Sequence, residues 1–471
     1  MDRTDIAGIL RAHGQEHLLR FWDSLNAAEQ AALAEQVRAL DFAQIARMKA
    51  MLPGGANAVD DGAQSAPDAG FAPAPVVQWT GPERDKARAV GEQALRDGRV
   101  GVILVAGGQG SRLGFEGPKG TLPLAPITNA TLFEIHARKI LALRRRWSAS
   151  VPFYIMTSTV NDADTRRFFA ERGFCGLPPA DVLFFTQGMY PALGPDGRIV
   201  LERPGRIALA PDGHGGLLAA LDRTGMLQDM ARRGLTTLFY FQVDNPLVDI
   251  ADPAFLGLHL AQRADMSLKV CAKRNASEGL GVVVVRGARL AVVEYTELTD
   301  AQKNARRPDG TLVYQYGSVA IHVFARTFLE REAAAGLPLH LAHKKVPCCD
   351  DQGGPVKPVS PNAYKFEKFI FDALPHAHNA VVLAFDRAEE FAPVKNAAGD
   401  DSPDTARAAL MEKFARWLAA AGVAVPRRPD GSLAARIEID PCHASGPEDL
   451  AAKLPRPFAV GGEVLLRADD P

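Results

Sequence analysis

The stretch Val100-Gly101-Val102-Ile103-Leu104-Val105-Ala106-Gly107-Gly108-Gln109-Gly110-Ser111-Arg112-Leu113-Gly114 passes from apolar to glycine-rich within a few residues, and Pro118-Lys119-Gly120 follows it. Its apolar half reads as a buried strand. In an open parallel sheet, ligands bind beyond the carboxyl ends of the strands, which is where these glycines fall. Glycine lets the backbone approach a ligand closely and turn its N–H groups toward phosphate oxygens. Arg112 and Lys119 are then placed to neutralise a polyphosphate. A dinucleotide fingerprint would need glycine at position 113, where Leu113 stands, and a P-loop would need Ser or Thr after its lysine, where Gly120 stands. The bland alternative is a glycine-rich turn with two surface cations. Arg just past the last glycine of Gly-Gln-Gly, with Pro-Lys downstream, weighs against it.

Outward from this loop, similar apolar runs recur at Phe153–Met156, Val182–Phe185, Thr237–Phe241 and Met266–Val270, with amphipathic segments such as Leu132 to Leu143 between them. Buried strands alternating with helices predict an α/β fold with a doubly wound, mostly parallel sheet. Val282–Val285 and Ala291–Tyr295, joined at Gly287, read as a hairpin added to that sheet. Apolar residues at three-to-four spacing over about 5–50 predict helices. The Pro-, Gly- and Ala-rich stretch 53–79 reads as a flexible connector. The expected organisation is a helical N-terminal region (1–95), a catalytic domain (96–390) and a small β-rich C-terminal domain (391–471), which opens on a helix from Thr405 to Ala421.

A chain of 471 residues is too long for one simple core. Its 54 basic and 55 acidic side chains leave a formal charge of -1, so no overall field favours nucleic acid or an anionic membrane. The N-terminus is polar, no run of 18 apolar residues occurs, and the five cysteines show no CxxC spacing. These features predict a cytoplasmic protein with neither membrane nor nucleic-acid partners. Cys348-Cys349 beside His343 does not suggest a metal site, because adjacent cysteines cannot readily face one ion.

GGxGxRLG followed by PKG resembles the signature of sugar-nucleotide pyrophosphorylases. The surrounding blocks resemble specifically the UDP-N-acetylhexosamine pyrophosphorylases of the eukaryotic-type UDP-sugar pyrophosphorylase family. These blocks are Gln15–Trp22, Gln187-Gly188-Met189, Pro211-Asp212-Gly213, Val243-Asp244-Asn245, Val293-Glu294-Tyr295, Lys365–Phe369 and Pro393-Val394-Lys395-Asn396. The resemblance implies a Rossmann-like nucleotide-diphospho-sugar transferase fold. It also implies transfer of UMP from UTP to a sugar 1-phosphate, with UDP-sugar and pyrophosphate as products. It assigns catalysis to Arg112, Lys119 and Lys395, and a Mg²⁺ cofactor to Asp244. It gives the nucleotide to Val105, Ala106, Gly107, Gly108, Gly110, Gln187, Gly213, Gln242 and Lys365, and the sugar to His214, Glu294, Tyr295 and Ser318. A carboxylate at a strand end suits Mg²⁺, which takes one or two protein oxygens plus phosphates and water.

Two positions depart from the N-acetylhexosamine pattern. His214 stands where that branch usually carries Asn, and Gly317-Ser318-Val319-Ala320 stands where it has Gly-Asn-Ile. Gly-His-Gly at the first place resembles UDP-glucose and broad-specificity UDP-sugar pyrophosphorylases. Both changes fall among sugar contacts and neither among the phosphate contacts, so the expected reaction is UMP transfer to N-acetylglucosamine 1-phosphate, with glucose 1-phosphate or several sugars as the alternative. His214 reads as a sugar contact rather than a base, since a phosphate monoester is already largely ionised near neutral pH.

Overall fold

The computed structural model describes residues 3–54, 70–79 and 81–468. The chain divides into two compact units: Met1–Gly70 with Gln187–Leu217 and Gly336–Asp372, and Phe71–Thr186 with Leu218–Ala335 and Ala373–Pro471. This division differs from the expected order of three consecutive segments. Two excursions of the chain, 187–217 and 336–372, complete the core of the N-terminal helices, so the units interleave in sequence.

The larger unit is built on a ten-stranded sheet. In chain order its strands are β1 (Phe71–Pro73), β2 (Val100–Val105), β3 (Phe153–Thr157), β4 (Val182–Thr186), β5 (Thr237–Gln242), β6 (Met266–Ala272), β7 (Val282–Arg286), β8 (Arg289–Val293), β9 (Tyr316–Ala325) and β10 (Ala380–Ala384). The main path runs β1-β7-β9-β5-β2-β3-β4, with β6 joining β9 to β10 and β8 pairing β7. The run β5-β2-β3-β4 is parallel, and β5, β2 and β3 are buried on both faces, which is why each reads as an unbroken apolar run, while the edge strand β4 is part-buried. β7 and β8 form the expected hairpin, and β9 pairs antiparallel with β5, β6 and β7.

Helix Leu132–Trp147 starts on a capping box between Thr131 and Glu134 and buries Leu132, Phe133, Ile140 and Leu141 against the sheet core. Helix Pro253–Ala261 starts as the Asp252-Pro253 pair predicts, with the Asp252 side chain accepting from the Ala254 N–H. It crosses helix Gly81–Arg96 at close range. A Cβ on Gly257 would lie 1.6 Å from the Ala87 carbonyl oxygen, and one on Gly91 would lie 1.9 Å from that of Pro253. Both positions therefore exclude side chains.

Two sequence expectations change. Residues 55–69 of the proposed connector lie outside the described residues, but 71–79 are ordered into the sheet unit. β1 pairs with β7, Phe71 packs edge-on against Tyr314, and Val77 bridges to Leu383. The C-terminal segment is not β-rich. It holds helices Pro403–Ala420 and Pro447–Lys453 around one parallel pair, Arg436–Ile439 with Glu463–Leu466. Ile437, Ile439, Leu418 and Leu450 close its core.

The smaller unit packs helices Arg3–Ala12, Ala27–Arg38 and Phe42–Ala50 against short hairpins, with Leu10, Leu33, Val37, Met48, Leu193, Ile199 and Phe366 in its core. The block Gln15–Trp22 has a structural role there. The Gln15 amide donates to the Gly197 carbonyl and accepts from the Ile199 N–H, and His17 Nε2 donates to the Ile199 carbonyl. No helix among the described residues is long and apolar enough to cross a membrane.

Two buried histidines in the larger unit make its stability sensitive to acid. Burial pushes His136 down to about 3, helped by the charge of Lys139, and pushes His259 down to about 4. Both rings are neutral in the fold but titrate near 6.5 when exposed. Between these values the unfolded chain binds more protons, so stability falls as pH drops from about 6.5 toward 4. The urea midpoint is therefore expected to be lower at pH 5 than at pH 7, and His259→Asn should flatten part of the slope. A midpoint constant across that window would contradict the account.

Candidate active site

β2 ends at Val105, and Ala106 extends its ladder by donating to the Met156 carbonyl at 2.8 Å. Beyond it the glycine loop folds back on itself. Gly110 donates to the Gly117 carbonyl (3.0 Å), and Lys119 N–H donates to the Gly108 carbonyl (3.1 Å). The buried Asn161 amide holds the loop from below through the carbonyls of Ala106 (2.9 Å) and Gly108 (3.3 Å). Gly110 must be glycine, because a Cβ there would lie 2.7 Å from the Phe115 ring. Gly108 faces open space, and the N–H groups of Gly107 and Gly108 donate to no group among the described residues. Free N–H groups on a loop with open space beside it make a cradle for anionic oxygens.

Lys119 sits in the turn Lys119–Thr121, which is pressed onto Phe133 so closely that a Cβ on Gly120 would be 2.2 Å from its ring. The Lys119 ammonium lies 3.9 Å from the Asp244 carboxylate and donates to the Val394 carbonyl at 3.3 Å. The Val394 N–H in turn donates to the Asp244 carbonyl at 2.8 Å. Asp244 follows β5, and two bonds fix the strand end before it. Val243 donates to the Val105 carbonyl, and His136 Nε2 donates to the Val243 carbonyl. Gln242 is the residue of β5 paired with Val105, so these two predicted nucleotide contacts lie side by side.

Lys119, Asp244 and the segment carrying Lys395 thus meet at one edge of the sheet. Lys395 itself is exposed, its ammonium 6.0 Å from the Phe391 ring centroid. Arg112 stands on the same glycine loop, in the turn Ser111–Leu113, exposed and without an ion-pair partner among the described residues. The loop brings it into the same region without a contact to the Lys119–Asp244 pair.

The predicted sugar contacts in this unit gather around Gly281. Its carbonyl accepts from the Ser318 N–H at 2.8 Å, and a Cβ on it would be 3.2 Å from the Glu294 carboxylate. The Tyr295 ring lies over Gly279. Ser318 is presented by a bulge in β9. Ile321 pairs with Lys269 and Ser318 with Val270, which leaves Val319 and Ala320 looped out, Ala320 at φ 58°.

The remaining candidates lie in the smaller unit. Gln187 is buried. Gly213 adopts φ 82°, and a Cβ there would be 2.5 Å from the Lys368 carbonyl oxygen, so only glycine fits. His214 Nδ1 accepts from the Ile370 N–H at 3.1 Å, and its ring stacks on Phe369. Burial, helped by the charge of His340, pushes His214 down to about 4. It is therefore neutral near pH 7, with Nδ1 occupied and Nε2–H as its remaining donor, which suits a hydrogen-bonding contact and not a base. Lys365 lies mid-strand in Ala363–Glu367, opposite Ala342.

Sequence reasoning missed Asn245, Glu390 and Lys269, which hold the Asp244 and Lys395 segments together. Asn245 adjoins Asp244 in the sequence, and nothing local marks it as more than a turn residue before Pro246.

A mostly parallel α/β sheet with a glycine loop, and with a lysine, a carboxylate and a second lysine-bearing segment at its carboxyl edge, has the arrangement of the nucleotide-diphospho-sugar transferase class. The family model described as "UTP--glucose-1-phosphate uridylyltransferase" matches residues 82–428. The chain is 39% identical over 435 residues to the human "UDP-N-acetylhexosamine pyrophosphorylase-like protein 1", covering 89% of this chain and 86% of that protein. It is 31% identical over 482 residues to the "UDP-N-acetylglucosamine pyrophosphorylase" of Saccharomyces cerevisiae, covering 98% and 99%. The solved structure of the Trypanosoma brucei uridine diphosphate N-acetylglucosamine pyrophosphorylase, in complex with an inhibitor, is similar with a TM-score of 0.83 at 27% identity, covering 100% and 99%. The chain belongs to this uridylyltransferase family, within its UDP-N-acetylhexosamine pyrophosphorylases.

Proposed function

We propose that this protein transfers UMP from UTP to N-acetylglucosamine 1-phosphate, forming UDP-N-acetylglucosamine and pyrophosphate. The observation that carries the reading is the convergence of Lys119, Asp244 and the Val394-Lys395 segment beside the glycine loop. An oxygen of the sugar phosphate attacks the α-phosphorus of UTP. The new P–O bond forms as the bond to the β-phosphate bridging oxygen breaks, and pyrophosphate leaves with that electron pair. Two anions must meet, so the protein's task is positioning and charge neutralisation. The Gly107 and Gly108 N–H groups and Lys119 hold UTP phosphates, Arg112 adds charge from the loop, and Lys395 meets the sugar phosphate. Val105, Ala106, Gly110 and Gln242 line the same cradle, while Gln187, Gly213 and Lys365 bind the nucleotide. Glu294, Tyr295, Ser318 and His214 pair with sugar groups.

The donor set also supports Mg²⁺. Asp244 offers one carboxylate, only loosely paired at 3.9 Å from Lys119, and no cluster of three or more His, Cys, Asp or Glu side chains surrounds it among the described residues. Such a site suits an ion that takes its other ligands from phosphate and water. When bound, Mg²⁺ supplies further neutralisation of the triphosphate. The free cysteines support a cytoplasmic location.

The test is pyrophosphate release from UTP and Mg²⁺ with a panel of sugar 1-phosphates. N-acetylglucosamine 1-phosphate is expected to have the highest kcat/KM, and His214→Asn to raise its advantage over glucose 1-phosphate. The named relatives speak for the N-acetyl sugar over the glucose alternative. No turnover with any hexose 1-phosphate would end the proposal.

A further inference from the structure

Asp244 and Lys395 come from segments about 150 residues apart, yet transfer requires them to be placed within a fraction of an ångström of a working geometry. We infer that Asn245 is a positioning residue for uridylyl transfer: it clamps the 390–395 segment, and with it Lys395, onto the strand end that carries Asp244. The inference rests on the function proposed above.

Asn245 is 3% exposed. Its Nδ2 donates to the Glu390 carbonyl at 2.7 Å, and its Oδ1 accepts from the Ala392 N–H at 3.2 Å and the Leu247 N–H at 3.3 Å. One amide thus pairs with the backbone of the far segment at both a donor and an acceptor, which neither leucine nor an ionised aspartate of similar size can do. The clamp has a backbone bond beside it, from Val394 N–H to the Asp244 carbonyl. Lys413 lies behind it and donates to the carbonyls of both Leu247 (3.2 Å) and Glu389 (2.7 Å). The Glu390 carboxylate is held from below by Lys269. On the ligand side, the Val394 carbonyl is the acceptor of Lys119, so slippage of this segment moves Lys119, Asp244 and Lys395 relative to one another. Asn245 itself is buried, with its Oδ1 accepting two bonds and its Nδ2 donating one, all within the protein.

The test is a double-mutant cycle on the full chain, read as kcat and KM for UTP with N-acetylglucosamine 1-phosphate. Asn245→Ala is expected to lower kcat at least 30-fold with KM for UTP changed less than about threefold. In the Lys395→Ala background the same change should lower kcat less than threefold, because the geometry it protects is already useless. A purely structural residue would instead give effects that multiply, and that result would overturn the inference. Asn245→Asp keeps the side-chain shape and the acceptor contacts, but when ionised it turns the donation to the Glu390 carbonyl into a repulsion between two oxygens and adds a charge beside Asp244. It is the variant to use if Asn245→Ala does not fold, and parent-like kcat in it would equally overturn the inference. An inactive parent chain would instead refute the proposed reaction, so the two failures are distinguishable.

Discussion

Lys119→Met is expected to lower kcat by at least 100-fold while leaving the unfolding midpoint close to that of the parent. Lys119 is partly buried, its side chain 20% exposed, so its charge acts in a medium where it is worth more than in bulk water. The ammonium is held by the Val394 carbonyl and faces Asp244 before any substrate arrives, so no reorganisation is needed as negative charge shifts toward the leaving pyrophosphate. Removing one such preorganised donor typically costs 10²–10³-fold in rate, about 3–4 kcal/mol of transition-state stabilisation. Methionine keeps the apolar stem that packs in the turn and removes only the charge and the hydrogen bond. The stability change should be small, because an ion pair 3.9 Å long with solvent access contributes little. Steady-state pyrophosphate release decides it. A fall below tenfold would remove Lys119 from the transfer machinery.

The parts of this molecule that were legible in its sequence share one physical property, which is that their environment is local. β2, β3 and β5 are buried on both faces, so each is a continuous apolar run, and the edge strand β4 is apolar though only part-buried. The glycine loop is legible because Gly110 and Gly120 exclude side chains for reasons within thirty residues of chain, namely Phe115 and Phe133. β9 was not legible: its bulge at Val319-Ala320 interrupts alternation, and Gly317 and Ser318 lower its strand propensity. Nor was β1, whose Phe71-Ala72-Pro73 sits in a Pro- and Ala-rich stretch and forms a strand only because β7 offers an edge. The interleaving of the two units depends on contacts such as Gln15 to Ile199, for which the sequence carries no local sign. The same holds for the site. Lys119 and Asp244 stand out in motifs, but what joins Asp244 to Lys395 is an asparagine that looks like an ordinary turn residue before Pro246.

The buried charges beneath that junction lead to the largest stability effect expected here. Lys269 is 1% exposed in β6 and bonds both Asp252 (2.9 Å) and Glu390, whose side chains are 13% and 11% exposed. Burial penalises all three charges. Lys269 nonetheless stays firmly protonated because Asp252 and Glu390 both face it. Asp252 is held below the usual carboxylate range by Lys269 despite its burial, whereas burial and the neighbouring carboxylates push Glu390 up. Lys269→Met therefore leaves two carboxylates together in the core without their counter-charge, and breaking a buried set in this way costs about 3–5 kcal/mol. The pH dependence distinguishes this from simple loss of packing. With the lysine gone, the folded pKa of both carboxylates rises above the unfolded values, so the folded variant binds more protons and its stability falls as pH rises above about 4.5. The deficit relative to the parent, measured by urea denaturation, should accordingly be larger at pH 8 than at pH 5. Lys269→Met/Glu390→Gln should recover part of it at pH 8, because one of the stranded charges is removed. A deficit that is independent of pH and unchanged in the double variant would mean that Lys269 acts through its volume and not its charge. In that case the ionic floor beneath Asn245 and Glu390 would not be what fixes their position.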